Sequence, residues 1–225
     1  MKRSITVLFT LILMAVSAHA QDEYRMEIGP AAGASFYMGD VNQRLYRNTG
    51  LMGGIVARYN CNPRLSFKAD LTAARISGST ADMKDRVFLE DLSFNRTIYD
   101  MGVQIEGGFL GYGLTRYNGC HRVAPYYLTG IGLTFAPKPQ KNDFAFNIPL
   151  GIGVRYKMAD RWNVGLEWTM RFSSSDRLDV TMQNGGITLE DPSRIKGKFF
   201  KNKDSYSYTM LTLTYDIFKK PCDCN

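Results

Sequence analysis

The sequence predicts an all-β fold, an eight-stranded antiparallel up-and-down transmembrane β-barrel with short periplasmic turns and long extracellular loops. Three observations lead there. Apolar and polar residues alternate with period two in eight separate segments. Several of these segments run for about 10 to 13 residues, longer than the roughly 5 to 6 usual in soluble sheets and near the 9 to 11 a tilted strand needs to cross a bilayer. The connections between them alternate in length, as the two ends of an outer-membrane barrel do.

The segments come in order. Tyr24, Met26, Ile28, Ala32, Ala34 and Phe36 oppose Arg25, Glu27, Gly29, Gly33 and Ser35. Leu51, Ile55, Ala57 and Tyr59 oppose Gly54 and Arg58, and Leu65, Phe67, Ala69, Leu71 and Ala73 oppose Ser66, Lys68, Asp70 and Thr72. Tyr99, Met101, Val103, Ile105 and Phe109 oppose Asp100, Gly102, Gln104, Glu106 and Gly108. In the fifth segment Tyr127, Ile131, Leu133 and Phe135 share a face, and Leu128 breaks the pattern from the other. Ile148 to Met158 alternates against Asn147, Gly151, Gly153, Arg155 and Lys157. Trp162 to Phe172 alternates against Asn163, Gly165, Glu167, Thr169 and Arg171. The last segment sets Leu211, Leu213, Tyr215 and Ile217 against Met210, Thr212, Thr214 and Asp216, with no clear pattern in its first half.

Residues 1–20 read as a secretory signal: Lys2 and Arg3, an apolar run from Ile5 to Val16, then Ala18-His19-Ala20. Residues 21–225 then form one barrel domain. Without Lys2 and Arg3, 26 basic residues stand against 21 acidic ones, a mildly basic balance. Beyond the signal no apolar run approaches the ~20 residues of a spanning helix, which excludes a helical membrane protein. An even strand count puts both termini in the periplasm of a Gram-negative bacterium. Cys61, Cys120, Cys222 and Cys224 then share that oxidising compartment, and bridges from the two tail cysteines to Cys61 and Cys120, in either order, are expected.

A secreted barrel of lipocalin type also alternates, with its apolar face turned inward. Aromatic residues near the segment ends (Tyr59, Tyr127, Tyr156, Trp162, Phe172, Tyr215) favour interfacial girdles instead, and glycines on the polar faces suit a narrow interior. Those polar faces carry Arg25, Arg58, Lys68, Arg155, Lys157 and Arg171 against Glu27, Asp70, Asp100, Glu106, Glu167 and Asp216. Equal numbers of opposite charges in a lumen with room only for side chains predict a plug of ion pairs, not a pore.

Little in the chain points to catalysis. After the signal His121 is the sole histidine, no second one can complete a base or metal site, and Cys222-x-Cys224 lacks zinc-ligand spacing. No enzyme activity, cofactor, nucleic acid or small-molecule substrate is expected. Gly111-x-Gly113 and Gly151-x-Gly153 open no helix and read as turn or strand glycines. The run from Lys196 to Lys203, with Phe199 and Phe200 inside it, reads as a solvated loop or as a contact for anionic lipopolysaccharide or a protein. Outer-membrane lipid is the surrounding partner.

Several stretches resemble the PorG-type outer-membrane barrels of the type IX secretion system. They are Met26-Glu27-Ile28-Gly29, Ser35 to Asp40, Arg58 to Arg64, Gly130 to Leu133, Asn163 to Trp168, Phe199 to Asp204 and Leu213 to Asp216. Ser205 departs from the tryptophan the family commonly has there. The resemblance implies a non-enzymatic accessory of secretion that docks periplasmic PorK- and PorN-like ring proteins. The connection from Leu110 to Val123, longer than a hairpin needs, and the tail would offer Tyr112, Arg116, Tyr117, Arg122, Lys219 and Lys220 as contacts. An OmpA-like structural or adhesive barrel and, behind it, a lipid-modifying enzyme are the competing readings.

Overall fold

The computed structural model describes residues 24–38, 49–79, 93–113, 120–137, 143–174 and 205–219. Ten strands lie among them: β1 (Tyr24–Met38), β2 (Gly50–Asn62), β3 (Leu65–Ser79), β4 (Ser93–Gly108), β5 (Gly111–Tyr112), β6 (Cys120–His121), β7 (Val123–Ala136), β8 (Asp143–Lys157), β9 (Trp162–Ser173) and β10 (Ser205–Lys219). Eight of them close into one antiparallel barrel in the order β1-β10-β9-β8-β7-β4-β3-β2. Each barrel strand pairs with its sequence neighbours, and β1 meets β10 to complete the ring. Closure leaves no unpaired edge. Because Tyr24 lies opposite Lys219, both ends of the described chain sit at the same end as the tight β2–β3 turn at Pro63-Arg64 and the β8–β9 turn at residues 158–161. This is the turn end, and the other is the loop end.

The pleat decides which side chains enter the barrel. Leu71, Ile105 and Leu166 are 59%, 46% and 56% exposed, while their ladder-adjacent polar neighbours Asp70, Glu106 and Glu167 are buried. The apolar face therefore points out, the reverse of a lipocalin-type barrel. Aromatic residues border this outer surface at both levels. Trp162 packs edge-on against Tyr215 with centroids 5.1 Å apart, and Phe109 against Tyr127 at 5.6 Å, toward the turn end. Phe135 lies between Tyr99 and Phe144, at 6.4 and 4.6 Å, toward the loop end.

Most strands run further toward the loop end than the alternation indicates, because there the inward residues are themselves apolar. Tyr37, Met52, Ala74, Ile76, Ile98, Ala136, Tyr206, Tyr208 and Met210 form one buried cluster inside the barrel. Tyr206, Tyr208 and Met210 continue the inward parity of Thr212, Thr214 and Asp216, which explains the unclear first half of the last segment. Leu128, which breaks the fifth segment's pattern, is an inward residue and buried. Phe36 has the parity of the outer face yet is buried.

One interior assignment is corrected. Arg25 is exposed, not in the lumen. The β1–β10 register slips on either side of Met26, and such a bulge re-aims the neighbouring side chain. The short strands β5 and β6, which pair in parallel, had no sequence signature.

Candidate functional site

The barrel interior holds a dense set of charged side chains. Arg58, Lys68, Arg96, Arg155, Lys157 and Arg171 are buried, and so are Glu27, Asp70, Asp100, Glu106, Glu167 and Asp216. The balance of six against six is kept because Arg96, with inward parity on β4, takes the place expected of Arg25. Arg96 donates to the carbonyls of Ala136 (2.7 Å) and Pro137 (3.2 Å) at the loop end.

Three connected layers fill the lumen. In the middle, Arg58 donates from Nε to Glu106 (2.8 Å) and from Nη1 to Glu27 (3.1 Å). Glu27 also accepts from Asn60 and Thr214, each at 2.8 Å. Lys68 donates to Glu167 at 2.5 Å and lies 3.8 Å from Glu106, and Tyr126 donates to the other oxygen of Glu167 at 2.7 Å. Arg155 stands 3.7 Å from Glu27 and 3.8 Å from Glu106, so it bridges two carboxylates that would otherwise repel.

Toward the loop end, Arg171 donates to Asp70 at 2.5 Å and lies 3.7 Å from Asp100, and Gln104 donates to Asp70 at 2.6 Å. Asp100 accepts from Tyr206 (2.8 Å), Tyr208 (2.5 Å), Asn147 (2.9 Å) and Thr134 (2.9 Å). Such saturation compensates a carboxylate withdrawn from water. Two paired glycines make the room: a β-carbon on Gly102 would stand 2.8 Å from Asp70 Oδ1, and one on Gly132 2.6 Å from Asn147 Oδ1.

At the turn end the β4–β7 connection folds back under the barrel. The Tyr112 N–H donates to the Pro63 carbonyl at 2.8 Å, and the Gly113 N–H to that of His121 at 3.1 Å. Tyr112 is thereby buried, donating its hydroxyl to Asn163 at 2.6 Å, with the Arg155 guanidinium 4.4 Å and Lys157 Nζ 5.9 Å from its ring centroid. Burial, and the Glu27 charge behind it, push the Tyr112 phenol well above its ordinary range. Lys157 and Asn163 both donate to Asp216, at 2.5 and 2.8 Å. The described part of this connection around Tyr112 thus caps the lumen, a role the aperiodic sequence of residues 110–123 did not announce beyond a tyrosine flanked by two glycines.

Of the expected partner contacts, Tyr112 is therefore withdrawn, since it faces inward. Arg122 is exposed, and so is its neighbour His121. Arg116, Tyr117 and Lys220 lie outside the described residues, as do the run from Lys196 to Lys203 and the signal segment; Lys219 closes β10, its side chain undescribed. The expected bridge at Cys61 is not formed. The register slip between Asn60 and Asn62 leaves Cys61 without an opposite residue on β3, and its thiol is exposed and unbridged. Cys120 is buried in β6, and Cys222 and Cys224 are outside the described residues. Among the described residues no group of His, Cys, Asp and Glu is arranged to hold a metal ion.

An apolar exterior around a lumen closed by its own ion pairs defines the class of small, filled eight-stranded barrels. The chain belongs to the DUF6089 family, a domain of unknown function matched over residues 2–225. No curated protein matches it. Among solved structures, Neisserial surface protein A is similar over 85% of this chain and 97% of its own, with 13% identity and a TM-score of 0.51. The N-terminal barrel domain of Pseudomonas aeruginosa OprF is 9% identical over 86% of this chain and 99% of its own, with a TM-score of 0.45. Ail, the attachment invasion locus protein of Yersinia pestis, in complex with the heparin analogue sucrose octasulfate, is 12% identical over 87% and 99%, also at 0.45. At 13% identity the fold is what is shared with Neisserial surface protein A.

Proposed function

We propose that this chain is a non-enzymatic integral outer-membrane barrel whose turn end faces the periplasm, and that it serves a type IX protein secretion apparatus by docking periplasmic ring proteins of the PorK and PorN kind. The observation that carries the membrane reading is the outer surface, where Leu51, Ile131, Phe144, Phe146 and Ile152 are each more than half exposed along the barrel wall. A belt of that extent in water is an aggregation surface, whereas lipid solvates it. The secretion reading rests on the resemblance of the stretches from Met26 to Asp216 named above. It is supported by a lumen too full to carry cargo, which leaves the ends of the barrel as its working surfaces.

A photo-crosslinker at Arg122, exposed at the turn end, tests the docking role. Capture of ring proteins, together with cargo retained inside cells that lack the gene, is the expected result; free secretion without the gene refutes it. The second reading is a structural or adhesive surface barrel, favoured by the fold likeness to Neisserial surface protein A. That reading requires intact secretion and altered envelope integrity or surface binding in the same deletion strain. Altered lipid A or phospholipid chains would point instead to an enzyme.

A further inference from the structure

We propose that the turn-end rim is an arginine collar that binds the phosphate headgroups of anionic lipids. Four elements of the rim each present one exposed arginine: Arg25 on β1, Arg64 in the β2–β3 turn, Arg122 just before β7 and Arg161 in the β8–β9 turn. In the closed strand order these positions are spread around the whole circumference, never more than a few strands apart. His121 is exposed beside Arg122, and Asp160 is the one exposed carboxylate among the side chains described at this rim. The nearest inward carboxylates, Asp216 at this end and Glu27 in the layer behind it, are ion-paired inside the barrel. Among the described residues the outside of the rim therefore sets four arginines against one carboxylate, while the barrel's interior is balanced.

The depth of the collar fits a headgroup. Arg161 donates to the Tyr215 hydroxyl at 3.1 Å and lies 5.9 Å from that ring, and Tyr215 packs on Trp162. Aromatic residues of this kind sit where hydrocarbon gives way to headgroups, so the guanidinium stands at phosphate level. Arginine's fork suits phosphate better than a point charge does. The bulge that turns Arg25 out of the lumen gains a second meaning: it moves a cation from a paired interior to this ring. Lipid surrounds the barrel and meets all four arginines, whose spread around the ring matches a surrounding bilayer.

The collar rests on the membrane reading, and one experiment separates the two. The full chain, folded in detergent, is offered phosphatidylglycerol or phosphatidylethanolamine and retained lipids are counted by native mass spectrometry. Insertion into vesicles of either lipid, read by heat-modifiable gel mobility, reports the membrane reading alone. The expected result is preferential retention of the anionic lipid, weakened about fivefold for each of Arg64→Gln and Arg122→Gln, and abolished when Arg25→Gln and Arg161→Gln are added. Should the fourfold variant not fold, the two single variants decide. Equal retention of both lipids, or unchanged anionic retention in the variants, overturns the collar. Lost crosslinking to a periplasmic protein with lipid retention unchanged assigns the arginines to that protein instead.

Discussion

The Arg155 guanidinium lies 4.4 Å from the centroid of the Tyr112 ring, and through it the cap at the turn end is joined to the ionic layer above. Arg155 is also within 4 Å of Glu27 and Glu106, so the ring covers a cation that, with Arg58, holds these two carboxylates together. Replacing Tyr112 by alanine removes the stacking, the hydroxyl bond to Asn163 and the shield from water, for a loss of about 2–4 kcal/mol. Tyr112→Phe removes only the hydroxyl and costs about 1 kcal/mol. Urea unfolding of the barrel in detergent, followed by gel mobility, measures both.

The same residue sets an alkaline limit. The Tyr112 phenol is held above its ordinary value near 10.0 by burial and then by Glu27. Its folded form keeps the proton that the unfolded chain gives up, so its contribution to stability is complete below about pH 10 and declines as the pH rises beyond it. Unfolding midpoints between pH 9 and 11 should fall more steeply for the wild type than for Tyr112→Phe. Parallel slopes would mean that the phenol is not desolvated.

Arg171 and Asp70 test whether the loop-end layer is a paired network or a set of incidental contacts. Arg171 bonds Asp70 and stands 4.9 Å from the Tyr208 ring, all buried. Arg171→Met strands Asp70 and should cost about 3–5 kcal/mol, and adding Asp70→Leu should recover much of it, because removing both charges also removes their desolvation penalty. A double variant no better than the single one would show that Arg171 acts mainly through Asp100 and the tyrosines.

Ile131 on β7 is 70% exposed, midway along the barrel wall. Ile131→Arg should destabilise folding into vesicles by about 2–4 kcal/mol, and Met158→Arg, just past the end of β8 at the rim, by about 0–1 kcal/mol. Equal costs at the two depths would argue against a bilayer around the barrel.

Strand positions were legible in the sequence wherever the barrel sorts polar from apolar between its two faces, as in Leu65 to Ala73 or Trp162 to Phe172. Legibility failed where that sorting stops. Ile76, Ile98, Met52 and Tyr206 face inward, yet hydropathy gives an apolar side chain the same sign whether lipid or a packed interior receives it. Parity also misplaced Arg25, since a register slip at Met26 shifts the count by one and leaves no mark on composition. The ionic layers were readable because a buried charge must be compensated, so opposite charges of common parity imply partners. Who pairs with whom was not readable, for Lys68 reaches Glu167 on the far wall, a choice set by barrel geometry. The cap escaped notice because one buried tyrosine in a connection has no period to detect.

The filled lumen leads to a last expectation. A conducting pathway along the axis must pass the Asp100–Arg171 layer, then Arg58, Lys68, Glu106 and Glu167, then the Tyr112 cap, and in each layer the charged side chains are buried against one another. An ion entering would have to break bonds of 2.5 to 3.1 Å between full charges, leaving buried partners uncompensated, and an eight-stranded wall leaves little space for water to replace them. The purified protein in a planar bilayer should therefore show no sustained conductance at neutral pH. Tyr112→Ala alone should not open it, because the cap closes only the turn end. Glu106→Ala combined with Arg58→Ala and Lys68→Ala, which removes three of the middle layer's charged side chains, is the variant in which brief openings are expected, and large stable channels in the wild type would mean that the ion pairs do not hold the lumen shut.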